Sequence, residues 1–84
     1  MINKGVIRMN VRIVTFKNAD EMLEFVNKVE RYPFPMDLSH DNVVVDAKSL
    51  LGIIALGFEK SVTLTVHADE HGALFEDIEK FLVV

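Results

Sequence analysis

The sequence predicts an α+β domain of two layers, a four-stranded antiparallel sheet with helices on one face, in the order β-α-β-β-α-β-α. Three observations lead there. Val62, Leu64 and Val66 alternate with Thr63, Thr65 and His67, the period of a strand with one covered and one wet face. Met22, Phe25, Val26 and Val29 recur at helical spacing, with Glu24, Asn27, Lys28 and Glu30 outside that stripe. Strands of period two need one covered face, and two amphipathic helices are enough to cover four such strands.

The first strand covers residues 6–16, with Ile7, Met9, Val11 and Ile13 on one face and Arg8, Asn10 and Arg12 on the other. The first helix begins at Asn18, whose cap position and the Glu21 three residues later have the spacing of a capping box. Pro33 and Pro35 end it. Phe34, Met36 and Leu38 alternate with polar neighbours and mark a second strand, with Pro35 near its start where no ladder amide is needed. His40-Asp41-Asn42 turns the chain into Val43-Val44-Val45, closing a hairpin. A second helix runs from a Ser49 cap to a left-handed stop at Gly57. The fourth strand follows. A third helix takes Glu70 to Leu82, with Leu74, Phe75, Ile78, Phe81 and Leu82 buried and Glu76, Asp77, Glu79 and Lys80 wet.

With 84 residues the chain makes one domain, residues 1–84, and buries only about 60–65% of its unfolded surface. It has no cysteine and hence no disulfide, so the 50% of hydrophobic residues must supply the core. A net charge of −4 argues against nucleic acid as a partner. The start of the chain lacks the apolar segment of a signal peptide, and no apolar run is long enough to span a bilayer. The expectation is a cytoplasmic protein that neither crosses nor binds a membrane.

The second helix is unusual. Leu50, Leu51, Ile53, Ile54, Ala55 and Leu56 leave it no charged face, although a short surface helix buries only about half its circumference. Either it lies deep between other elements, or part of it is an exposed docking surface. Chemistry has few candidates. His40 lies in a turn, His67 ends a strand and His71 starts a helix, so the His67-x-x-x-His71 spacing does not form a metal pair. Asp69, Glu70, Asp77 and Glu79 form no converging carboxylate pair. There is no nucleotide loop, nucleophile elbow or metal motif, and the expectation is a non-enzyme without metal or cofactor.

The segment Asp46-Ala47-Lys48-Ser49-Leu50-Leu51-Gly52-Ile53-Ile54-Ala55-Leu56-Gly57, within this order of elements, resembles the HPr family, the small phosphocarrier of the bacterial sugar phosphotransferase system. Lys48-Ser49-x-x-Gly52 and Ala55-Leu56-Gly57 match the family's regulatory-serine segment, and the likeness continues through Val62–Val66 and Ala68-Asp69. The resemblance implies an HPr-like open-faced sandwich with three helices on one face of the sheet. Family members that carry phosphate have a histidine at the cap of the first helix, within Gly-x-His-Ala-Arg-Pro. Counting back from Ser49 places Asn18 at the histidine, Asp20 at the arginine and Glu21 at the proline. Asn18 has no ring nitrogen to take a phosphoryl group, and two carboxylates in the first turn stabilise the helix while repelling phosphate.

Ser49 is then either a helix cap alone or, as the resemblance implies, a site phosphorylated by an HPr kinase that docks on Leu50, Leu51 and Ile54. The reading is an HPr-like regulator, with sugar uptake and catabolite regulation as its setting and HPr kinase or other phosphotransferase-system proteins as partners. An ordinary phosphocarrier is one alternative. A non-catalytic interaction subunit reusing the fold, with helix two buried in a homodimer, is the other.

Overall fold

The computed structural model describes residues 10–83. Its elements are β1 (Asn10–Val14), α1 (Ala19–Val29), β2 (Met36–His40), β3 (Val43–Asp46), α2 (Leu50–Leu56), β4 (Val62–Val66) and α3 (Leu74–Asp77), with a short 3-10 turn at Glu79–Phe81. The strands form one antiparallel sheet in the order β1-β4-β2-β3. The α+β class, the four strands and the hairpin are those read from the sequence.

Burial follows the expected stripes. Val62, Leu64 and Val66 of β4, Met36 and Leu38 of β2, and Met22, Phe25, Val26 and Val29 of α1 are all buried. Phe16, Phe25 and Phe81 form a three-ring contact, with centroids 5.0 to 5.7 Å apart. At the hairpin, Asp41 takes a left-handed φ of 55°, a conformation that Asp tolerates better than most residues. Pro35 directly precedes β2; its carbonyl accepts the His67 amide, and without an N–H it cannot return the second bond of that pair, so the β2–β4 ladder ends there, at the start of the strand, where a proline is tolerated.

Two expectations are corrected. The first concerns the first strand, which begins at Asn10 among the described residues; Ile7, Arg8 and Met9 lie outside them. Val11 and Ile13 do share a face, but it is the open one, and Val14 and Phe16 enter the core. Register is the cause. Val14 sits opposite Val62 and Arg12 opposite Leu64, and directly paired residues share a face. Arg12 therefore points to the helix side, where its guanidinium lies 4.2 Å from the Phe75 ring centre. Alternation revealed the strand but not which of its faces is covered.

The second concerns the third helix, expected from Glu70 to Leu82. Only Leu74–Asp77 is α-helical, and Ala73 offers no side-chain cap. Gly72 at φ +57° breaks the chain just before it. At the far end Leu82 is extended and bridges to Val14, while the amides of Thr15 and Val83 donate to the carbonyls of Phe81 and Ile13. The tail thus supplies partners along the outer edge of β1, which a helix continued to Leu82 would leave unmade. Leu74, Ile78 and Phe81 are buried as expected; Phe75 and Leu82 are half-buried.

The Tyr32 hydroxyl donates to Asp77, tying the end of α1 to α3. That bond to a carboxylate, with burial adding to it, raises the phenol above its ordinary value near 10. Because the folded-state value is raised, the bond contributes below the ordinary value and is lost as pH climbs through the raised one. Tyr32 is the one tyrosine of the chain. An ultraviolet titration should therefore show a single phenolate midpoint above that of a free tyrosine, and Asp77→Asn should lower it.

Candidate functional site

α1 begins as its cap chemistry dictates. Asn18 is extended, and its Oδ1 accepts the Glu21 amide at 2.9 Å. Glu21 Oε1 in turn accepts the Lys17 amide at 2.9 Å, so the reciprocal bond of the capping box reaches one residue before the cap. Asp20 and Glu21 fill the first turn. Asn18 is exposed and already serves the helix, and its neighbours are carboxylates.

α2 is capped by Ser49, whose Oγ accepts the Gly52 amide at 3.1 Å. Asp46 Oδ1 accepts the Lys48 amide at 2.8 Å, which fixes the turn from β3 into the cap. Gly52 is needed for packing: a Cβ there would stand 2.9 Å from the Val45 Cβ and 3.3 Å from the Ser49 Oγ. Gly57 ends the helix at φ +100°, positive as expected but with an extended ψ of 171° instead of the left-handed helical one. The Glu59 amide then donates to the Phe16 carbonyl at 2.8 Å, fastening the loop after α2 beside the approach to α1.

The apolar residues of α2 divide into two sets. Ile53 is fully buried and Leu56 nearly so, whereas Leu51 is 82% and Ile54 40% exposed. Leu50, expected in the docking patch with them, is half-buried against the core. The open patch is thus Leu51 and Ile54, and exposed Phe58 follows on the same segment. Sequence reasoning missed Phe58, which belongs to no periodic element, and Leu23, an exposed leucine beside the buried stripe of α1. Lys48 also has an unforeseen role, donating from Nζ to the Tyr32 carbonyl at 2.6 Å and so linking the start of α2 to the end of α1.

His67 Nε2 lies 2.7 Å from Asp37 Oδ2, His40 Nδ1 lies 3.2 Å from the Ser61 carbonyl, and the His71 ring packs against Phe75. Among the described residues no group of three or more His, Cys, Asp or Glu could hold a metal ion. No helix among them is long and apolar enough to cross a membrane.

The cap geometry makes a direct prediction. Ser49→Ala should lose about 0.5–2 kcal/mol, the usual worth of an N-cap. Ser49→Asp should melt within a few degrees of the parent, because a carboxylate can take the same amide and suits the helix dipole. Thermal melting of the three proteins side by side checks this. A neutral Ser49→Ala with a strongly destabilised Ser49→Asp would show that the hydroxyl does not cap α2.

A search of curated proteins finds no match. Among solved structures, the chain is similar to HPr-C-His from Thermoanaerobacter tengcongensis, at 22% identity and a TM-score of 0.68, covering 87% of this chain and 88% of that one. It is also similar to the phosphocarrier protein HPr from Bacillus anthracis str. Ames, at 25% identity and a TM-score of 0.63, covering 86% and 90%. The family model described as PTS HPr component phosphorylation site matches residues 18–83, most of the chain and all of the face just described. On that match the chain belongs to the HPr family of the phosphotransferase system.

Proposed function

We propose that this HPr-family protein works as a regulatory or docking module and not as a phosphoryl carrier. One observation carries the reading. Asn18, at the position the family resemblance assigns to the carrier histidine, has no ring nitrogen and spends its side-chain oxygen on the Glu21 amide. Asp20 and Glu21 surround it with negative charge where a phosphoryl donor would have to approach. Ser49 is the proposed phosphorylation site. Phosphate there would add about −1.5 to −2 charges at the start of α2, a place that favours an anion. The neighbouring Asp46 carboxylate is turned to the Lys48 amide and exposed, so its repulsion is screened. The docking patch is Leu51 and Ile54, with Leu50 supporting them from the half-buried side. Proteins of the phosphotransferase system, HPr kinase among them, are the proposed partners.

Two incubations test the proposal by intact mass. With HPr kinase and ATP, one phosphate should be added, and Ser49→Ala should lose it. With Enzyme I and phosphoenolpyruvate, no phosphate should appear on any histidine; an acid-labile one would establish the ordinary phosphocarrier instead. Asn18→His alone should restore slow transfer at best, because Asp20 still stands where the family has arginine. Transfer at a carrier's rate would refute the electrostatic part of the argument.

A further inference from the structure

The outer face of α1 carries a pattern that the docking patch on α2 does not use. Asp20, Leu23, Glu24, Asn27, Lys28 and Arg31 line an open surface groove of about 520 Å³. Asp20, Glu24 and Lys28 form one row at intervals of four residues and Leu23, Asn27 and Arg31 a neighbouring one, so they lie along one side of the helix and its end. The charges are sorted along it. The acids Asp20 and Glu24 occupy the first half, the bases Lys28 and Arg31 the second, with exposed Leu23 between the two acids. Glu24 holds Lys80 at 2.9 Å, whereas Asp20 and Arg31 make no ion pair among the described residues.

From this arrangement we propose that the outer face of α1 is an interface between two copies of this chain, packed antiparallel about a two-fold axis. A two-fold axis across the middle of the helix sets each end of the face against the opposite end of its mate. Asp20 then meets the partner subunit's Arg31 and Glu24 meets the partner subunit's Lys28, and symmetry makes each pair twice. An acidic or basic partner of another kind would match one half of this face and be repelled by the other. Reversal of sign about the midpoint is the arrangement that a second copy satisfies on both halves. Leu23, between the two acids, adds an apolar contact that the aliphatic stem of the partner subunit's Lys28 can cover. One helix face is a small interface and the copies share a net charge of −4, so the dimer is a weak, exchanging one.

This inference does not depend on the docking role of α2, and the two can fail separately. The test is sedimentation of the parent chain up to millimolar concentration, with two charge-swapped variants. Asp20→Lys/Glu24→Lys has a wholly basic face and Lys28→Glu/Arg31→Glu a wholly acidic one. The parent should show a monomer–dimer equilibrium, and each variant alone should associate at least about tenfold more weakly, because like charges then face each other. Mixed in equal amounts, the variants should form a one-to-one dimer tighter than the parent's. Circular dichroism establishes that each is folded; if a double variant is not, Asp20→Lys mixed with Arg31→Glu makes the same comparison with one pair. Leu51→Glu should leave the dimer intact. A parent that stays monomeric, variants that dimerise as the parent does, a mixture that fails to associate, or loss of the dimer in Leu51→Glu would each overturn the proposal.

Discussion

Ile53→Glu should fail to fold, while Leu51→Glu, two residues away on the same helix, should melt within a few degrees of the parent. Ile53 is fully buried among the core side chains and has no polar group placed to receive a carboxylate. Burying a charge there costs several kcal/mol, as does keeping the carboxyl protonated. A domain of this size has only about 5–15 kcal/mol in total. Leu51 is 82% exposed in the first turn of α2, where a surface change is worth about 0.5 kcal/mol or less and the helix dipole favours an acid. Circular dichroism and thermal melting of the pair settle it. If the two unfold alike, α2 is enclosed all round and the docking role of its outer face falls with it. If Leu51→Glu folds but no longer binds a partner that the parent binds, the patch is the docking surface.

Phe81→Ala should be the most damaging truncation near the end of the chain, at about 3–5 kcal/mol. Phe81 is buried and touches Phe16 and Phe25, in tilted and edge-on contacts that add to the area it removes from water. It also stands where the backbone passes from the 3-10 turn to the extended tail, and its carbonyl receives the Thr15 amide. The cavity would thus open between α1, β1 and the tail together. Denaturant unfolding should show a lowered midpoint with little change in slope. A loss below about 1 kcal/mol would mean that the tail contributes little to the core.

What the sequence made legible was whatever a single element decides by itself. The stripe of α1, the alternation of β4, the caps at Asn18 and Ser49 and the openness of Leu51 and Ile54 on α2 are local properties, and the structure agrees with them. What stayed illegible depended on partners distant in the chain. The covered face of β1 follows from the pairing of Val14 with Val62, and the end of α3 from the pairing of Leu82 with Val14. Leu50 shows the limit within the site itself: periodicity places it beside Leu51, but the packing of α2 on the core turns it half inward. The Lys48–Tyr32 and Tyr32–Asp77 contacts also join residues far apart in sequence, so no spacing announces them.

The strand order has a consequence in time. β4, the last of the described strands in chain order, lies between β1 and β2, so the sheet has no centre until residues 62–66 are available. Before that, the hairpin of β2 and β3 is the one strand pair that neighbours in sequence can close. β1 must wait for partners nearly fifty residues away in the register of Val14 with Val62, and its outer edge waits longer still, for Leu82. Closing such long loops before the contacts that reward it makes folding slower than in a helical bundle of the same length. On a ribosome, the growing chain can hold the α1 helix and the hairpin only loosely. Cooperative structure is expected only when β4 inserts and the tail closes over β1.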